Sequence, residues 1–263
     1  MDNRPSPLPT LEQRLQWQKR PHDQRHVMVQ KWRHLLFLHW AVDPAVVQAT
    51  LPAGLTVDTF EGQAFIGIVP FFMIGVRPRF LPAVPGISHF MEANVRTYVY
   101  DQNGVPGVWF YSLDANQRLA VRLARRFFKL PYFYGQLDSP HINFWGLVNH
   151  PPVKIAYTVQ REGVDRGERS HFRYRSAGGG RTAAPGSLEF FLVERYILFA
   201  TPNEGTLATG QVHHQPYPIH EAYVAAWDAN LMGLAGFEKP TRPPDHVLYS
   251  PGVDVDVFPL KRG

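Results

Sequence analysis

The 263-residue sequence contains no cysteine. Disulfides, thiolate metal sites and cysteine nucleophiles are therefore excluded, and a reducing compartment is the natural expectation. Long hydrophobic runs are missing as well. The most apolar stretch, residues 64–76, is broken by Gly67, Pro70 and Gly75 and is too short to span a bilayer as a helix. The first ten residues are polar and proline-rich, without the apolar centre of a secretory signal. Together these absences predict a cytoplasmic chain with no membrane partner. Lysine is scarce, six of the 27 basic residues. The arginines that make up the rest are scattered, and a net charge of +5 is too mild to argue for nucleic acid.

Familiar chemical motifs are also absent. There is no G-x-x-x-x-G-K-[ST], no G-x-G-x-x-G after a strand and no G-x-S-x-G. His22 and His26 have helical i, i+4 spacing, but no Glu follows the first of them, so the zinc-protease pattern fails. The glycines at 178–180 open no helix that would cradle a phosphate. No metal site and no cofactor is predicted.

What is present is a chain that is 44% hydrophobic, enough for a full core. Residues 1–26 read as an N-terminal arm with a short helix over 11–19, and 27–263 as one domain. Strands are predicted at 27–39, 55–60, 64–72, 92–100 and 108–114, then at 153–161, 169–176, 188–199, 205–214 and 247–258. Asn103-Gly104 supplies a tight turn. Asp43-Pro44 starts a short helix. Asn116 to Phe128 is a second helix, with Leu119, Ala120, Leu123, Ala124 and Phe127 at helical spacing. A third runs from Pro218 to about Leu234, and 176–187 is a loop. Many strands with few intervening helices predict an α+β fold, mostly antiparallel and closed into a barrel-like sheet with a few outer helices.

Chemistry concentrates in Glu92 to Val99. Strand alternation puts Glu92, Asn94, Arg96 and Tyr98 on one face, and Ala93, Val95, Thr97 and Val99 on the other. A polar face is ordinarily a solvated one. Here the neighbouring stretches 65–72 and 108–114 are apolar or aromatic on both faces, which places the strand centrally. A polar face there needs a wet cavity or internal pairing, because an unpaired buried charge is costly. Glu194 and Arg195, inside an apolar run, read as a structural ion pair. Asp114 reads first as a helix N-cap.

Several segments together resemble one family: residues 32–40, Leu51-Pro52-Ala53-Gly54-Leu55, Ile68-Val69-Pro70-Phe71, residues 92–99, residues 106–114, Leu130-Pro131-Tyr132, Glu194-Arg195-Tyr196 and residues 250–255. The pattern is similar to the YqjF-like family of uncharacterised bacterial proteins, grouped with the acetoacetate decarboxylase-like superfamily. The resemblance implies a cone-shaped, barrel-like β-structure around a pocket. The superfamily's decarboxylases use a Schiff-base lysine from a Lys-Lys pair after a Phe-Pro or similar dipeptide. Here Leu130-Pro131 is followed by Tyr132 and Phe133, and the superfamily's arginine before the early Asp-Pro would fall near Ala41. Acetoacetate decarboxylase activity itself is thus not expected. Lys129 is the one lysine in a strongly apolar setting, and it reads as a side chain snorkelling at a helix end.

The resulting expectation is a pocket for a small-molecule ligand, an organic acid or aromatic, in an enzyme acting on a small organic acid or carbonyl compound by Glu/Arg/Tyr acid–base chemistry. Glu92 and Arg96 would be the catalytic pair, and Asn94, Tyr98, Tyr111, Asp114, Tyr132 and His39 would contact the ligand. The alternative is the same pocket in a non-catalytic binding or sensing protein. Any activity would be lyase-like and cofactor-independent, and a homo-oligomer is compatible with the sequence.

Overall fold

The computed structural model describes residues 7–141, 154–203 and 205–262. Its elements in chain order are α1 (Leu11–Trp17), β1 (Met28–Val42), α2 (Pro44–Gln48), β2 (Leu55–Val57), β3 (Ala64–Pro78), β4 (Phe90–Asp101), β5 (Pro106–Ala115) and α3 (Arg118–Phe127). There follow β6 (Tyr132–Asp138), β7 (Ile155–Arg161), β8 (Ser170–Arg181), α4 (Leu188–Val193), β9 (Ile197–Asn203), β10 (Thr206–His213), β11 (Ile219–Ala226), α5 (Asn230–Leu234), β12 (His246–Val257) and β13 (Lys261–Arg262). Residues 1–6 of the expected arm and residue 153 of an expected strand lie outside the described residues.

The strands join one sheet that forks at two seams. β5 gives one edge to β4 and divides the other: Val108 and Trp109 pair with β9, and Leu113 to Ala115 with β6. β12 gives one edge to β1 and likewise divides the other, Leu248 and Tyr249 to β11, Asp256 and Val257 to β10. Two hydrogen-bonded circuits result. One runs β4-β5-β6-β7-β8-β11-β12-β1-β3, the other β4-β5-β9-β10-β12-β1-β3. Every pairing in them is antiparallel except those of β5 with β6 and with β9.

The five shared strands form a wall with a core on each side. Leu35, Phe37, Phe71 and Leu113 belong to one core; Leu36, Leu38, Phe72, Ala93 and Val95 belong to the other. This is why residues 65–72 and 108–114 are apolar without clear alternation: both faces are buried. β4 is buried along its whole length.

Local chemistry fixes the element ends. Thr10 and Gln13 form a capping box on α1. The Asp43 side chain accepts from the Ala45 amide, with Pro44 in the first helical position of α2. Asp101 accepts from the amides of Asn103 and Val105, closing the β4–β5 turn.

Four expectations need correction. Residues 188–193 are helix, not strand: Ser187 caps the Phe190 amide, and Phe190 to Val193 are all buried, a run too short to show either period. Residues 219–226 are strand rather than helix, with exposure alternating at every second residue. β8 continues through Gly178, which pairs with Glu221, so the triple glycine belongs to a strand. The N-cap of α3 is Gln117, whose side chain accepts from the amides of Leu119 and Ala120, and Asp114 lies within β5. The apolar stripe of α3 is also unusual, because Leu119, Leu123 and Phe127 are exposed and only Val121 is buried.

Candidate functional site

Inside the smaller circuit lies a cavity of about 1160 Å³, walled by side chains from β1, β3, β4, β5, β9, β10 and β12, by one side of α3 and by the end of α4. Glu92, Asn94 and Arg96 reach it from β4 and Tyr132 from the start of β6. Arg195, Tyr196 and Tyr217 join them from the segments flanking β9 and β10.

Glu92 is buried, and its Oε2 accepts the Tyr132 hydroxyl at 2.7 Å. Burial pushes its carboxyl up to about 7, although hydrogen bonds from Tyr132 and Asn94 pull the other way. Burial and the neighbouring Glu92 charge hold Tyr132 well above the ordinary tyrosine range, so it keeps its proton for that bond.

Arg96 faces Gly67 across the β3–β4 pairing. A Cβ on Gly67 would come within 2.9 Å of the His39 ring, so glycine makes the room that ring occupies, while Arg96 Cγ would lie at an ordinary contact distance of 3.7 Å. The Arg96 guanidinium donates to the Leu192 carbonyl at 3.1 Å and lies over the rings of Phe37 and Tyr98. Its Nε has no partner, and among the described residues no carboxylate lies within ion-pair distance of it. Asn94 Oδ1 is likewise buried and unpartnered.

Arg195 is the cavity's second guanidinium. It donates to the Phe191 carbonyl at 2.7 Å and to Asp58 Oδ2 at 2.8 Å, which leaves one amino group unpartnered. Asp58 is fully buried and also receives two bonds from Arg14 of α1, at 2.6 and 2.8 Å. Burial lowers Arg195 to about 10, still a cation at neutral pH. Glu194 does not pair with Arg195 as expected. Its oxygens take the Tyr196 hydroxyl and the Tyr217 amide, because α4 ends at this point and turns the two charged residues to different neighbours. Burial raises the Glu194 carboxyl.

The remaining expected contacts stand elsewhere. Tyr98 sends its hydroxyl hydrogen to the Leu192 carbonyl at 2.8 Å and takes His39 Nε2 at 2.8 Å, beneath the cavity wall rather than on it. Since that hydrogen is committed, His39 carries its own on Nε2 and accepts at Nδ1 from His246 Nδ1, 3.1 Å away. Burial, with His246 and the Arg96 charge nearby, holds His39 well below its usual range, so the ring is neutral. Tyr111 is skipped in the pairing of β4 with β5, where Val95 faces Ser112 and Arg96 faces Phe110. That bulge turns Tyr111 away from the cavity, to Thr50 Oγ1 at 2.7 Å and the Phe237 ring. It also resets the alternation, so that Leu113 lines the cavity and Asp114 points into the other circuit. There Arg161 holds Asp114 through two bonds, at 2.7 and 2.8 Å. Lys129 lies on the cavity rim, exposed, with a left-handed φ of 53°.

Arg195, Tyr196 and Tyr217 are cavity residues that the sequence reasoning did not assign. The signal for Arg195 was its charge within an apolar run. Tyr217 gave none, since its place depends on how β10 meets β12.

Comparison with known proteins agrees with this architecture. The family model DUF2071, described as an uncharacterized conserved protein, matches residues 29–254. The uncharacterized protein YqjF of Bacillus subtilis is 36% identical over 236 residues, covering 90% of this chain and 92% of that protein. Among solved structures, acetoacetate decarboxylase from Legionella pneumophila superposes with a TM-score of 0.61 at 11% identity, covering 100% of this chain and 93% of its own. The enduracididine biosynthesis enzyme MppR, in complex with pyruvate, superposes at 0.59 with 12% identity over 93% of each chain. At such identities the likeness carries the fold and leaves the chemistry to the residues. No helix among the described residues is long and apolar enough to cross a membrane.

Proposed function

The chain belongs to the DUF2071 family of uncharacterized conserved proteins, and from that premise we propose that its cavity binds an organic acid, with the carboxylate on Arg96 and the unpartnered amino group of Arg195. The observation that carries this reading is Arg96, a residue 9% exposed in a cavity wall, whose guanidinium has no carboxylate paired to it among the described residues. A buried charge in that state is costly, and an anionic ligand is the partner that offsets it. The groups around it lean the same way. Arg14 and Arg195 already share the single Asp58 carboxylate, and burial pushes both Glu92 and Glu194 toward their neutral forms.

In this reading Glu92 is the acid–base residue. A carboxyl near 7 exchanges a proton at neutral pH with little driving force lost in either direction. Its ionised form would take a proton from the carbon next to the ligand's carbonyl and return it in the reverse step. Tyr132 holds Oε2 and so aims the other oxygen. Pyruvate bound in MppR supports the ligand class by analogy of fold alone. Lys129, out on the rim, gives no support to an imine.

The test is calorimetric titration of pyruvate, acetoacetate and benzoate, with product analysis by NMR. Arg96→Gln is expected to weaken binding by about tenfold or more, the value of a lost charge-assisted hydrogen bond. Glu92→Gln should keep affinity and lose turnover. Borohydride added with the keto acids should leave the intact mass unchanged, and an adduct at Lys129 would replace the acid–base scheme. If no acid binds, or Arg96→Gln binds as wild type does, the reading is wrong. Binding without turnover would leave a sequestering or sensing protein.

A further inference from the structure

Most of the side chains that line the cavity are apolar, with Leu35, Val69, Met73, Val108, Phe110 and Leu198 among them. At roughly 30 Å³ per heavy atom, the share of a water molecule in its liquid, pyruvate would occupy about 180 Å³ and hexadecanoate about 540 Å³. The cavity measures about 1160 Å³. A small keto acid would therefore leave most of it empty or filled with water against apolar walls.

The mouth points in the same direction. α3 turns its apolar stripe into the opening, where Leu119, Leu123 and Phe127 are 43%, 45% and 62% exposed. The segment between β3 and β4 adds Leu81, Val84 and Ile87 to the lining, at 56%, 46% and 42% exposed. An amphipathic helix ordinarily turns such a stripe into a core. A contiguous apolar surface left at a cavity entrance marks a ligand path.

Resting on the reading that Arg96 receives a carboxylate, we infer that the ligand is an amphiphile, a carboxylic acid carrying a long unbranched apolar chain. The carboxylate sits at Arg96 and Arg195. The chain runs along the apolar wall and emerges between α3 and the β3–β4 segment.

The probes are acetate, hexanoate, decanoate and hexadecanoate, with pyruvate and decanol as controls, titrated into the full chain. Affinity should rise by about fourfold for each methylene added, until the chain reaches the mouth. Decanol, with no carboxylate, should bind at least about tenfold more weakly than decanoate. Ala124→Phe fills the half-buried inner side of the mouth and should weaken decanoate by about tenfold or more while leaving pyruvate within about twofold. Leu123→Ser alters an exposed side chain, so folding is not at stake, and it should weaken hexadecanoate alone.

The two ideas fail separately. Affinity independent of chain length, with Arg96→Gln still weakening pyruvate, overturns the amphiphile and keeps the acid site. A steep chain-length dependence that Arg96→Gln leaves unchanged, with decanol equal to decanoate, keeps the apolar path and removes the carboxylate. Chain-length dependence untouched by both mouth variants places the chain elsewhere and overturns the inference.

Discussion

Tyr132 donates its hydroxyl hydrogen to Oε2 of Glu92 over 2.7 Å, although the strands that carry them, β6 and β4, do not pair. The contact is possible because β5 lies between them and pairs with β6 only at its C-terminal end, Leu113 to Ala115, opposite Tyr132 to Tyr134. This bond works against burial, which alone would lift the carboxyl further. Tyr132→Phe should therefore move the Glu92 titration upward from about 7. Carbon-13 NMR of labelled glutamate reads that midpoint, and an unchanged value would show the bond does not stabilise the ionised form.

The raised Glu92 carboxyl has a consequence for stability. Below about pH 4.5 folded and unfolded chains both hold the proton. Between about 4.5 and about 7 the unfolded chain releases it while the folded chain keeps it, so stability falls across that window and levels off above it. The fall attributable to this group is about 3 kcal/mol. Buried neutral histidines such as His39 and His246 act in the opposite sense, so the comparison must be with Glu92→Gln. Urea unfolding at pH 4.5 and 7.5 should show the wild type losing that amount relative to the variant. Parallel curves would rule the effect out.

Arg96 is held by one carbonyl and two rings, with no carboxylate among the described residues. Arg96→Met keeps much of the packing and removes the charge. It should stabilise the ligand-free protein by about 1–2 kcal/mol, as expected where a site keeps a charge for function rather than for folding. The same variant should lose affinity for acids. A thermal midpoint below that of wild type would mean the guanidinium is already satisfied.

Asp58 behaves oppositely, since it neutralises two cations at once. Asp58→Asn leaves Arg195 buried and Arg14 half-released, and should cost about 3–5 kcal/mol. Arg14→Ala removes a partly exposed partner and should cost less. Equal losses in the two variants, measured by urea unfolding, would show that α1 and not Arg195 depends on the carboxylate.

Much of this was legible in the sequence where local rules dominate. Asp43-Pro44 and Asn103-Gly104 fixed their turns, and the two-sided apolar runs flanking Glu92 to Tyr98 marked a central strand. The failures arose where distant pairing decides. One skipped residue, Tyr111, reverses the facing of everything after it on β5, so Asp114 left the expected pocket while Leu113 entered it. Ser187 capped a helix inside a run that looked like strand. Asp58 carried no local signal, because its partners Arg14 and Arg195 reach it from distant parts of the chain.

The doubly used wall of β12, β1, β3, β4 and β5 also sets how this architecture can diversify. Each of its strands serves one densely filled chamber and one hollow chamber. A substitution on the hollow side alters what the protein holds, while its neighbour one position along alters whether it folds. On this wall, change in specificity is thus limited to every second position of five strands; elsewhere it falls to the other segments that line the hollow chamber, α3 and the β3–β4 segment among them. A lineage exploring new ligands would leave its record in the lips of the opening long before it rewrote the wall.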